Sequence, residues 1–195
     1  MQDLRIIPVF PLTLLPFPGE LVPLHIFEPR YRQLLQDAET TDIEFGIYCN
    51  HDLNKMKLGS LMKLESIIKR YPTGESDIVV RCLDVFSMHK MLRNFRHKLY
   101  PGAEVQMWSV KTDELPGVNL YENFIEYQRM RKINTHVSLF NLYQMAIELN
   151  LDLFDRYKFL NASSDRKLLF LSTQLKFQLH VLRQEEKSKD LFHLN

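Results

Sequence analysis

Residues 8–31 read PVFPLTLLPFPGELVPLHIFEPRY, and this stretch decides the fold. Pro8, Pro11, Pro16, Pro18 and Pro23 each remove a backbone donor from any ladder they enter. The segment is therefore expected to supply only short edge or bulged strands. Pro29 changes the sense of the pattern, because proline suits the first position of a helix. A helix is expected from Pro29 to about Asp37, packing through Tyr31, Leu34 and Leu35, and it is the clear helix of the first half.

Beyond this stretch the hydrophobic period is two. Ile43, Phe45, Ile47 and Cys49 alternate with Glu44, Gly46, Tyr48 and Asn50, as in a strand with one face on a core. Leu58, Met62, Leu64 and Ile68 are expected on one face of a second strand, opposite Lys63 and Glu65. Tyr71-Pro72-Thr73-Gly74 carries a preset φ and then a residue free to take positive φ, so it reads as a turn. The β-branched run from Ile78 to Phe86 then completes a hairpin. Pro101-Gly102 introduces one more strand, with Ala103, Val105 and Met107 on one side.

Near KTDELPGV, residues 111–118, the period changes to that of helices, and three or four are expected. Leu139, Leu142, Tyr143, Ala146 and Leu149 make one apolar stripe. The last helix follows the capping cluster Asn161-Ala-Ser-Ser-Asp165 and carries Leu168, Leu171, Leu175, Leu179 and Leu182 on one side. Phe170, Phe177 and Val181 form a second stripe, so the whole broad face is expected to be buried. The charged tail from Glu185 is expected to fray.

Proline, aromatic and glycine recur in a fixed order in Pro8-Val-Phe-Pro-Leu12, Leu15-Pro-Phe-Pro-Gly19 and Leu24-His-Ile-Phe-Glu-Pro-Arg-Tyr31. This order resembles the opening of the Lon substrate-binding domain family, in the form of its stand-alone members. The resemblance continues at Phe45-Gly46, Gly59-Ser-Leu61, Pro72-Thr-Gly74, Ile78-Val-Val80 and Val85-Phe86, and more weakly from Leu153 to Leu182. It implies an α+β fold: a PUA-like, highly curved β-barrel with one inserted helix over residues 1–115, followed by a C-terminal helical bundle over residues 116–195. It also implies recognition without chemistry, since the chain has no G-x-x-x-x-G-K-[ST] phosphate loop and no room for Lon's ATPase and Ser-Lys peptidase domains. The implied partners are unfolded or specific protein segments, and a separate protease is one that such a module could serve. Cys82 departs from the glycine common in the family; if that glycine serves a bulge or a close backbone approach, this chain must pack differently there.

Composition narrows the function classes. With 45% hydrophobic residues in 195, the chain can bury a core, and Lys+Arg 25 against Asp+Glu 24 supplies no strong field for a polyanion or an acidic membrane surface. Cys49 and Cys82 lie in apolar alternating stretches and read as buried thiols of a cytoplasmic protein. The opening MQDLRIIPVFPL lacks the features of a secretory signal, and no run approaches the roughly 20 apolar residues of a membrane span. Neither Cys49-Asn-His51 nor Cys82 with His89 has zinc-ligand spacing, so no metal, cofactor or catalytic residue is expected.

The candidate partner-binding residues are Phe17, Phe27, Arg30, Tyr31 and Trp108. Phe27 is expected in the core, whereas Phe17 and Trp108 suit core and surface equally. His25, Glu28, Arg30 and Tyr31 could form a polar site at the helix start, although local caps and ion pairs account better for Glu28 and Arg30. The segment from Met88 to Lys98 interleaves basic and aromatic residues as a nucleic-acid surface requires. A solvated strand edge protected by Lys and Arg explains it better. RNA binding is the alternative function, and a small enzyme is a third, which would need a deep pocket with an acid–base pair of displaced pKa.

Overall fold

The longest run of alternating sequence builds the longest hairpin. In the computed structural model, which describes residues 4–133 and 139–192, β4 (Leu58–Arg70) and β5 (Ser76–Leu92) pair antiparallel. Gly74 takes φ +88° in the turn between them, and its amide donates to the Tyr71 carbonyl at 2.9 Å. The ladder shifts register at three places, and each shift alters which face the following residues occupy. Ile68 is a consequence: it is 64% exposed, not on the core face, while its neighbour Ile67 packs against the core.

One bulge carries a larger consequence. Met62 pairs with Cys82 and Leu61 with Asp84, which leaves Leu83 without a partner in the ladder. The extra residue turns β5 over. Cys82, Val80 and Ile78 therefore face one core cluster, with Tyr31, Leu34 and Leu35, whereas Phe86 faces another, with Ile7, Val9, Leu61, Ala103 and Val105. Close backbone approach also occurs here: the Gly19 amide donates to the Cys82 carbonyl at 2.8 Å, and the Cys82 amide to the Glu20 carbonyl at 2.9 Å. The thiol is accommodated within 3.5 Å of the Pro16 carbonyl oxygen.

The proline-rich opening forms a longer strand than expected, β1 (Arg5–Leu12), and the pairing shows how. Arg5 to Pro8 pair antiparallel with β6 (Gly102–Met107), and Val9 to Leu12 pair parallel with β3 (Phe45–Cys49). Each half thus has one partner strand, and each proline can turn its donor-less nitrogen to the open side. The parallel pairing requires a crossover. That crossover contains β2 (Leu21–Ile26) and α1 (Pro29–Thr41). α1 runs a turn beyond Asp37, and the Thr41 hydroxyl donates to the Asp37 carbonyl at 2.7 Å.

The sheet order is β2-β5-β4-β3-β1-β6, and a further β5–β6 pairing brings the sheet round on itself. The first half is therefore the curved sheet with an early helix expected of an α+β fold, although it is not a regular barrel. β2 stays outside the ring as an edge strand, and among the described residues it pairs only with β5, from Leu21↔Arg81 to Ile26↔Ser76. Phe86 is fully buried and leaves no room for a side chain at two glycines: a Cβ atom built on Gly46 would lie 2.7 Å from its ring, and one built on Gly59 closer still. Asn54, between β3 and β4 in sequence, is buried, donating to the Cys49 and Leu58 carbonyls and accepting from the Leu58 amide.

The chain divides into two compact units, Met1–Lys111 and Thr112–Asn195. The second holds α2 (Val118–Met130), α3 (Leu142–Glu148), α4 (Leu153–Leu160) and α5 (Ser164–Phe192). A capping box between Asn141 and Gln144 starts α3, so Leu139 lies outside the helix and is 63% exposed. α5 buries Leu171, Leu175 and Leu179. Its second stripe is not buried, since Phe177 is 65% exposed. The backbone also stays helical past Glu185, to Phe192, where fraying was expected. Met1 to Asp3 of the opening stretch lie outside the described residues.

Candidate functional site

β2 enters α1 through Phe27-Glu28-Pro29, and this joint forms one wall of a groove of about 330 Å³. Phe10, Leu12 and Leu14, from β1 and the residues after it, line the groove opposite Pro23, Leu24 and Ile26. The lining is mostly apolar. Phe27 stands at the groove 56% exposed, contrary to the expectation of a core position, because the chain turns there from strand into helix and Ile26 takes the core place instead. Tyr31 also lines the groove but is only 3% exposed, with its ring centroid 4.0 Å from that of Phe10.

Arg30 lies over the outer part of this assembly, its guanidinium carbon 4.6 Å from the Tyr31 ring centroid. Its charge is met locally by Glu28, at 2.8 Å. The ion-pair half of the expectation for these two residues holds, whereas Glu28 makes no side-chain cap of α1. The structure therefore brings Phe27, Arg30 and Tyr31 together. Phe17 is elsewhere and fully buried, because the turn around Gly19 (φ +88°) folds back onto β5 and Ser60 donates to the Pro16 carbonyl at 2.7 Å. Trp108, half-buried at the end of β6, is outside the groove, with its amide donating to the Val85 carbonyl at 2.9 Å.

His25 gives the groove a polar flank. Its Nδ1 lies 2.6 Å from Asp77 Oδ1, and its Nε2 3.8 Å from Glu75. Tyr71 donates to the other Asp77 oxygen at 2.7 Å. Hydrogen bonds from His25 and then Tyr71 hold the Asp77 carboxyl below the usual carboxylate range. The His25 ring stacks on Phe27 with centroids 6.0 Å apart and meets the Tyr71 ring edge-on. Both imidazole nitrogens have carboxylate neighbours, Asp77 in β5 and Glu75 in the turn before it, and the cluster braces Phe27. The pair is open to solvent, with the His25 side chain 48% and the Asp77 side chain 32% exposed.

The remaining polar candidates are the cysteines and the basic segment. Cys49 and Cys82 are buried, and burial pushes both thiols above their usual pKa, which disfavours a thiolate nucleophile. Among the described residues no three His, Cys, Asp or Glu side chains are grouped to hold a metal ion. The basic segment from Met88 to Lys98 divides: Met88 to Leu92 pair with β6, beyond the last β4 pairing at Leu58↔Ser87. Phe95, the aromatic that would stack on a base, is 4% exposed, and Lys98 is paired with Asp37 at 2.9 Å. Sequence reasoning missed Leu12, Leu14, Pro23 and Leu24 as groove residues; in β2 exposed Leu21, Pro23 and His25 alternate with half-buried Val22 and Leu24, an alternation that the apolar run LVPLHI does not display.

The curved sheet with an early helix defines an α+β domain. The chain is similar to a Lon N-terminal domain protein from Xanthomonas campestris, with a TM-score of 0.66, 21% identity, and coverage of 87% of this chain and 98% of that one. The N-terminal domain of the Mycobacterium avium complex Lon protease is a more distant neighbour, with a TM-score of 0.46, 14% identity, and coverage of 91% and 96%. No curated protein matches the sequence. Residues 6–186 match the ATP-dependent protease La (LON) substrate-binding domain, and the chain belongs to that family. Among the described residues no helix is long and apolar enough to cross a membrane.

Proposed function

We propose that this protein is a non-enzymatic recognition module that binds extended apolar segments of other proteins. The observation that carries the reading is the exposure of Phe27 and Leu14 on an apolar groove beside β2, whose outer edge has no strand partner among the described residues. Exposed aromatic and aliphatic anchors supply the burial that drives peptide association. An open strand edge supplies main-chain hydrogen bonds. Pro23 in β2 limits the same edge, since it removes one donor and discourages indiscriminate strand addition. Membership of a substrate-binding family supports the same reading.

Residues 1–115 would then serve as the recognition subdomain and residues 116–195 as a helical subdomain, and a captured segment could be handed to a separate protease. The buried free thiols fit a reducing cytoplasm. The test is binding of reduced, alkylated α-lactalbumin, an unfolded protein, against its native form. Selective binding of the unfolded form that is lost in the Leu14→Asp/Phe27→Asp double variant supports the reading. Equal binding by that variant, or none by the unaltered protein, refutes it.

A further inference from the structure

α5 presents two unlike sides along its length. Leu171, Leu175 and Leu179 are buried, and on their flank Phe170 and Gln174 meet Phe159 and Asp155 of α4. Away from that side Leu169, Phe177 and Val181 are 68%, 65% and 38% exposed. With exposed Thr173 they follow one another at four-residue steps, the spacing that stacks side chains into one ridge along a helix.

The charges beside this ridge have one sign. Arg166, Lys176 and His180, all exposed, each stand three residues from a member of the ridge, and exposed Lys187 stands seven beyond His180. Three and seven residues are near-whole turns, so these side chains share the side of the ridge. Among the described residues none of the three cations is held in an ion pair, whereas Arg183, off this side, is paired with Glu126 of α2 at 2.8 Å. No acidic residue from Arg166 to Lys187 falls here: Glu185 and Glu186 line a cleft with Met130, Arg131 and Lys132 at the end of α2. Asp165, one residue earlier, lies in the first turn of α5, where the helix N-terminus answers its charge.

An occupant that satisfies both features carries apolar side chains and carboxylates on one face. A nucleic acid would meet the cations but leave Leu169 and Val181 without apolar partners. An anionic bilayer takes up helices whose broad apolar face is free to enter it, and in α5 the broad apolar side is committed to the protein interior. From Arg166 to Lys187 the exposed side is about 32 Å long at the rise of an α-helix, room for a second helix laid along it. We infer that this side of α5 is an interaction surface additional to the groove, and that its occupant is an acidic amphipathic helix of another protein. The ridge supplies burial, and the cations set the sign and orientation of the partner.

The experiment follows, by fluorescence anisotropy with the full chain, a fluorescein-labelled helical peptide with leucine at every third or fourth position and glutamate elsewhere. A scrambled peptide of the same composition, its leucines sharing no face, is the control. The helical peptide is expected to bind, and to be weakened about 10-fold by Phe177→Ala and by Lys176→Glu with Lys187→Glu. The Tm followed by circular dichroism is expected to hold in these variants, since all three positions are exposed. Phe27→Asp should leave this binding unchanged. Absence of binding, equal binding of the scrambled peptide, or affinity indifferent to both α5 variants overturns the inference. Loss confined to Phe27→Asp also overturns it, by assigning the peptide to the groove, whose reading then stands. Tighter association with oligouridylate or with phosphatidylglycerol vesicles refutes the choice of partner, and so does a dimer in sedimentation that Phe177→Ala dissociates.

Discussion

Gly46 and Phe86 offer the sharpest test of how the curved sheet is packed. A methyl group on Gly46 would lie 2.7 Å from two atoms of the Phe86 ring and 3.1 Å from the Ile7 side chain, so Gly46→Ala overpacks a full interior. Such insertions cost about 1–3 kcal/mol. Phe86→Leu removes three carbons from a side chain that is 0% exposed, at about 0.8 kcal/mol each, or about 2 kcal/mol. If the ring is what forbids a side chain at position 46, the two changes compensate, and the double variant should be about 1–2 kcal/mol more stable than the sum of the singles. Trp108, the one tryptophan in the chain, is half-buried at the end of β6, and its fluorescence in urea reports unfolding of the first unit. Additivity of the two changes within about 0.5 kcal/mol would show that the backbone, and not the Phe86 ring, demands glycine there.

Asn54→Ala removes the partner of one buried amide and two buried carbonyls, and a loss of about 2–3 kcal/mol is expected in the same urea titration. Acid should weaken the first unit through Asp37. Burial pushes that carboxyl up, but hydrogen bonds from Tyr100 and Lys98, with the charge of Lys98, outweigh it and hold the group below its usual range. A carboxyl depressed by folding adds stability that is complete above its unfolded value, near 4, and is lost as pH falls through the lower folded value. Tm measured from pH 6 down to pH 2 should accordingly fall less steeply in Asp37→Asn than in the unaltered protein, and parallel slopes would refute this.

Much of this architecture was legible in local patterns. The Tyr71–Gly74 turn, the alternation of Phe45, Ile47 and Cys49, and the buried Leu171, Leu175 and Leu179 of α5 follow from periodicity and turn chemistry that neighbouring residues encode. What escaped was set at a distance. Leu83 reads like any other apolar strand residue, and only its lack of a partner in β4 makes it a bulge that reassigns Phe86. Phe17 and Phe27 sit in similar proline-rich surroundings, but one is enclosed by a turn folding onto β5 and the other left open where strand becomes helix. Half of the candidate site was therefore visible: Phe27, Arg30 and Tyr31 are neighbours in sequence, whereas Leu12 and Leu14 join them only through tertiary folding.

The divided pairing of β1 bears on how the protein is made. Arg5 finds its register opposite Val105, so the amino-terminal strand must wait for roughly a hundred further residues to leave the ribosome before its first half can dock. During that interval an apolar segment is at large in the nascent chain. Pro8 and Pro11 interrupt it, and an interrupted segment is a poor template for intermolecular strand association. The prolines that shape the finished strand thus also guard the unfinished one.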